Sequence, residues 1–175
     1  MKIDKQLLTA VTRAQYQAIV RYIGNNPARF AELVNVFLAG PYRLTQRAAR
    51  PLSICCETHP TLIYPHLKQI LRLAGQQGAH AAVKRNVMRL LQFITIPPAH
   101  RGTVVQLGFQ FFENRTEPIA IRVFAMTVLA QLSVFLPELK NDLIPLIEDE
   151  LPMGSAAFVS RGRKVLKQLK ANLPT

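Results

Sequence analysis

Three stretches of this chain place apolar residues at the same helical positions, about 38 residues apart. From Leu44, the residues four, seven, eight and eleven further on are Ala48, Pro51, Leu52 and Cys55. From Val83 they are Val87, Leu90, Leu91 and Ile94, and from Ile121 they are Ala125, Val128, Leu129 and Leu132. Those offsets share one face of an α-helix. A fourth start, Val159, is followed by Arg163, Leu166, Lys167 and Lys170, so this copy loses the apolar face at several positions. A second register runs alongside. Pro60, Pro98 and Pro137 each open a further apolar-periodic segment, with Leu67, Val105 and Ile144 seven residues on. Proline suits the first helical turn because its missing N–H is not needed there. The predicted unit is therefore a helix, a short turn and a second, proline-started helix. One such hairpin cannot cover its own apolar face, so the units must stack on neighbours. Leu91, Ile94, Leu129 and Leu132 are the expected core.

Residues 1–40 match this register poorly but still read as two amphipathic helices, the second opening at Pro27 after the turn Gly24–Asn25–Asn26. They are the expected N-terminal cap, residues 41–154 three helical hairpins, and residues 155–175 a C-terminal cap helix, in one domain of about nine helices and no strand. The period, the basic residue just inside the first helix (Lys84, Arg122) and the proline within one first helix (Pro51) resemble HEAT and armadillo repeats over roughly residues 41 to 171. That resemblance implies an all-α fold, a right-handed α-α superhelix, with the second helices lining a concave surface. It also implies that Pro51 bends its helix without ending it.

Charge is distributed unevenly along the sequence. Residues 33–112 carry nine bases (Arg43, Arg47, Arg50, Lys68, Arg72, Lys84, Arg85, Arg89 and Arg101) against one acid, Glu57. Residues 113–137 balance, and residues 138–170 hold six bases and five acids. Arg47, Arg50, Arg85 and Arg89 fall opposite the apolar face of the first helices, so they are expected in solvent. Lys68 and Arg72 hold equivalent positions on a second helix, where later copies put Gln106 with Pro145 and Gln110 with Asp149. On the implied concave surface, charge would grade from positive to negative. Lys68, Arg72 and Arg101, rimmed by Arg47, Arg50, Arg85 and Arg89, are the candidate binding residues. The acidic 138–151 and basic 160–170 segments are expected to neutralise one another.

Catalytic patterns are missing. No phosphate-cradling glycine loop, H-E-x-x-H or C-x-x-C occurs. His59, His66, His80 and His100 fall at helix starts and turns, so no metal and no cofactor is implied. Acids are absent from residues 58–112, which leaves paired-carboxylate chemistry nothing to work with there. HEAT-like alkylpurine DNA glycosylases use groove tryptophans, and this chain has none. Cys55 and Cys56, adjacent in a helical pattern, cannot form an ordinary disulfide and read as buried thiols. The longest uncharged stretch, 15 residues from Val123 to Pro137, is shorter than the roughly 20 a membrane helix needs. The N-terminus meets Arg13 before an apolar signal region can build. The expected protein is a cytoplasmic, non-catalytic binding or scaffolding module that presents its partly basic helical surface to a protein partner. Nucleic-acid binding through the central bases is the alternative, and an unrecognised HEAT-like enzyme the third reading.

Overall fold

The computed structural model describes residues 1–8 and 12–171, and these form ten α-helices and two short 3-10 turns, with no strand among them. The helices fall into two compact units, Met1–Thr95 and Ile96–Thr175. The first contains α1 (Ile3–Leu8), α2 (Arg13–Ile23), α3 (Pro27–Ala39), α4 (Tyr42–Thr58), α5 (Leu67–Ala74) and α6 (Ala81–Leu91). The second contains α7 (Pro98–Glu113), α8 (Ile119–Leu132), α9 (Leu139–Glu150) and α10 (Ala156–Ala171).

The one helix beyond the expected nine comes from the N-terminus, where a single amphipathic pattern is split into α1 and α2. Thr12 starts the second of these with a reciprocal cap: its hydroxyl accepts from the Gln15 amide at 3.3 Å, and its own amide donates to Gln15 Oε1 at 2.7 Å. That satisfies two donors which a helix start otherwise leaves unpaired. Gly24 ends α2 at φ 50°, a conformation a side chain would strain, and its amide donates back to Val20. Asn26 then caps α3 through Oδ1 and Pro27 fills the first turn.

In the first unit α4 packs against α1, α2, α3 and α6. Leu44, Ala48, Pro51, Leu52 and Cys55, the face the repeat predicted, are all buried, and Ala49, Ser53 and Cys56 beside them are buried too. Pro51 sits inside the helix, which runs on to Thr58. Both thiols are free, and burial pushes Cys55 up to about 12 and Cys56 higher still, with the neighbouring Cys55 adding to the second shift. Leu91 is fully buried, but Ile94 is only half-buried, because α6 stops at Leu91 and Ile94 falls in the turn beyond it. Pro60 opens a 3-10 turn to His66, and the α-helix begins only at Leu67. Pro65 explains the delay, since the residue before a proline is pushed out of the α region.

In the second unit α8 packs on α7, α9 and α10. Ile121, Ala125, Val128, Leu129 and Leu132 are all buried, as expected from their offsets. Gly108 on α7 lets Leu129 approach so closely that an added Cβ would lie 2.8 Å from Leu129 Cδ2. Two register assignments need correction. In α10 the buried residues are Phe158, Gly162, Val165, Leu166 and Leu169, so the fourth copy keeps all five offsets when counted from Phe158 instead of Val159. Leu67 on α5 is buried where the count from Pro60 put it, but the second helices α7 and α9 are displaced by one residue. Val104, Gly108, Leu143 and Ile147 are buried, whereas Val105, Phe109 and Ile144 are half-buried. The proline is a poor origin for counting, because α7 starts at its proline and α9 two residues after Pro137.

Candidate binding surface

Lys68 and Arg72 lie four residues apart on α5, whose other side, Leu67, Ile70, Leu71 and Ala74, is buried. Both cations are exposed. Holding that helix down costs them nothing, so their charges are left to the solvent side. Arg85 is likewise exposed, on α6.

The remaining candidates have more specific surroundings. Arg50 and Arg89 line one cleft of about 470 Å³ together with Arg13, Tyr16, Ile54 and Glu57. Arg89 makes an ion pair with Glu57 at 3.3 Å, and their side chains are 26% and 43% exposed. A pair that open is worth about 0–1 kcal/mol. Arg47 is not a free solvent cation: one Nη1 donates to the carbonyls of Leu7 and Leu8 at 2.7 and 2.8 Å. These are the last carbonyls of α1, so Arg47 caps that helix from α4 and favours its negative end. Arg101 belongs to the second unit. Its Nε donates to the Ile96 carbonyl at 3.2 Å and its guanidinium lies 4.0 Å from the centre of the Phe135 ring. Arg13 was not among the sequence candidates, because it stands in the segment read as a cap. Its position at the first turn of α2 becomes informative only once α2 is packed on α4.

The second unit has a cleft of its own, about 400 Å³, lined by Phe109, Glu113, Asn141, Asp142, Pro145 and Leu146. Its charged members are both acids, and Asp149 is exposed on the same helix as Asp142. The expected neutralisation within this unit occurs between Lys170 and Glu148 at 2.6 Å, but Glu150 is claimed by others. Arg115 and Arg122 reach its two oxygens at 2.7 and 2.8 Å. Arg122 is buried, donates its Nε to the Phe112 carbonyl at 2.8 Å, and lies 5.2 Å from the Phe158 ring centre. Burial alone would raise the Glu150 carboxyl, but the hydrogen bonds and charges of Arg122 and Arg115 outweigh it and hold Glu150 below the usual carboxylate range.

Two of the histidines serve the backbone and ring packing. His80 Nδ1 accepts from the Ala82 amide at 3.0 Å and caps α6, and Tyr42 meets the same ring edge-on at 5.0 Å. His66 packs against Phe30, and burial lowers it. Among the described residues no three His, Cys, Asp or Glu side chains gather as a metal site would require. Among the same residues no helix is long and apolar enough to cross a membrane.

Ten helices, buried faces recurring at fixed offsets and a proline within α4 agree with what a family model for the HEAT repeat domain reports, a match over residues 3–169. The chain belongs to the HEAT repeat family. No curated protein and no solved structure matches it significantly. The HEAT match includes α1 to α3, which the repeat register alone did not reach. Within this HEAT chain the first unit carries thirteen bases and three acids, and the second nine and seven.

Proposed function

We propose that this HEAT repeat chain is a non-catalytic binding module, active in the cytoplasm, whose ligand is a protein carrying patches of both charge signs. The observation that carries the reading is the opposite character of the two clefts. The first unit's contains three arginines and one acid, and the second unit's contains Glu113 and Asp142 with no base. A uniform polyanion gains from the first and is repelled by the second, whereas a protein can match both, and charge matching sets specificity more than raw affinity. The exposed aromatics favour the same choice. Tyr42 is 65% exposed and Phe135 48%, but His80 meets one and Arg101 covers the other, so each ring already has a partner that base stacking must compete with. Lys68, Arg72 and Arg85 supply steering cations, while Arg47 and Arg101 enter as struts. Two reduced, buried thiols suit a reducing compartment.

Nucleic-acid binding is favoured by one fact, the lack of any acid in residues 58–112. Fluorescence anisotropy with a short DNA duplex separates the readings. A protein-binding module holds the duplex only in the weak non-specific range, roughly 10⁻⁴ M or poorer near physiological salt. Tight, steeply salt-sensitive duplex binding that disappears on Lys68→Glu with Arg72→Glu would instead make this a nucleic-acid-binding protein.

A further inference from the structure

Arg13, Arg50 and Arg89 come from three different helices, α2, α4 and α6, yet line the same cleft of about 470 Å³. The cleft's one carboxylate is Glu57, paired to Arg89. Three guanidinium groups against one acid leave two positive charges unanswered within one concavity. Half-buried Tyr16 and Ile54 form part of its wall, and a less polar wall focuses the field of those charges into the opening. The fork of a guanidinium matches two oxygens of a phosphoryl group, and such charge-assisted pairs are the strong hydrogen bonds of proteins. A phosphorylated side chain carries about −1.5 to −2 charges at pH 7, which answers the surplus. A carboxylate, with one charge, leaves an arginine unanswered, and so does each singly charged phosphate of a nucleic-acid backbone. The volume falls within the roughly 300–1,000 Å³ of ligand sites, leaving room for a side chain as well as its oxyanion. We propose that this cleft binds the phosphorylated side chain of a protein partner. The proposal rests on the binding-module reading above and names the group that its basic cleft, on α2, α4 and α6, would take.

The probe is a fluorescein-labelled peptide with one phosphoserine flanked by alanine and glycine, titrated with the full chain. The phosphorylated peptide binds and its unphosphorylated twin does not. Arg13→Ala weakens binding by about tenfold, because a charge-assisted contact is lost. This arginine is exposed at a helix start, whereas Arg50 is half-buried in α4, so the variant tests the site without disturbing packing, and circular dichroism confirms its fold. Glu57→Gln tightens binding severalfold by releasing Arg89 from its competing anion. Affinity rises from about pH 5 to pH 7 as the phosphate loses its second proton near pH 6. Lys68→Glu with Arg72→Glu leaves the peptide's affinity within about twofold, since neither residue lines the cleft and their exposed charges are screened by salt. Equal binding of the unphosphorylated peptide, or an Arg13→Ala affinity equal to the unmodified chain's, overturns the proposal. Displacement by a DNA duplex at lower phosphate concentration than by inorganic phosphate overturns it too, and assigns the cleft to nucleic acid. Equal, weak binding of both peptides together with duplex binding no tighter than roughly 10⁻⁴ M removes the phosphoryl assignment alone and leaves the module reading standing.

Discussion

Glu150 ends α9 with two arginines on its carboxylate, one exposed and one buried. The buried one sets the energetics. Removing the carboxylate in Glu150→Ala strands the Arg122 charge away from water, and breaking a buried pair costs about 3–5 kcal/mol. Its pH dependence follows from the lowered carboxyl. A folded-state value below the ordinary 4.5 means that the stabilisation is complete above about pH 4.5 and drains away as pH falls through the folded value. Thermal melts in acid should therefore lose less stability in Glu150→Gln than in the parent, because the group that takes up the proton is gone. Identical acid slopes for the two chains would show that the two arginines do not hold this carboxyl low. The sequence placed Arg122 correctly as the basic residue inside a first helix, but it could not reveal the partner. Glu150 stands 28 residues downstream, and only the packing of α8 on α9 brings them together.

Helix-scale features were the easiest to read. The offsets from Leu44, Val83 and Ile121 identified fourteen buried positions in α4, α6 and α8, and missed only at Ile94, where the helix ended early. Apolar periodicity survives because burial enforces it residue by residue. Phase is harder, since a one-residue slip at Val159 or Pro137 costs nothing in a count but rotates the face by about 100°. Gly108 is the sharpest case. In the sequence it is a helix-weakening residue; in the structure it is the contact surface for Leu129 between α7 and α8. Gly108→Ala gains helix propensity and still destabilises, by about 1–3 kcal/mol, because the new methyl must displace a fully buried leucine. Chemical denaturation measures the balance. A stabilised Gly108→Ala would mean that Leu129 has room to move.

On the scale of the whole molecule, the candidate site was only half legible. Lys68 and Arg72 could be found because charge opposite an apolar face must be in solvent. Arg47 and Arg101 could not be separated from them, since nothing in a sequence marks a carbonyl or ring waiting for a guanidinium. Arg13 was missed because its cleft exists only between three helices. Thirteen bases against three acids in the first unit also set how stability responds to salt. Screening weakens repulsion between exposed charges, so moving from about 20 mM to about 300 mM salt raises the melting temperature. Each ~1 kcal/mol gained shifts it by about 2–4 °C in a chain of this size. A falling melting temperature would mean that ion pairs such as Arg89–Glu57 outweigh the repulsion.

Arg122 carries one further consequence, for how the chain is made. Its guanidinium, on α8, touches α7 through Phe112, α9 through Glu150 and α10 through Phe158. A ribosome delivers those partners in order, the last of them 36 residues after the arginine itself. Until Phe158 has been synthesised, that cation has only part of its cage, so the second unit cannot close around it before α10 has begun to emerge. In the first unit the Arg89–Glu57 pair is complete once Arg89 has been added. Domains generally fold as units from the N-terminus during synthesis, and in this unit the lock around Arg122 is set only after Phe158 has been added.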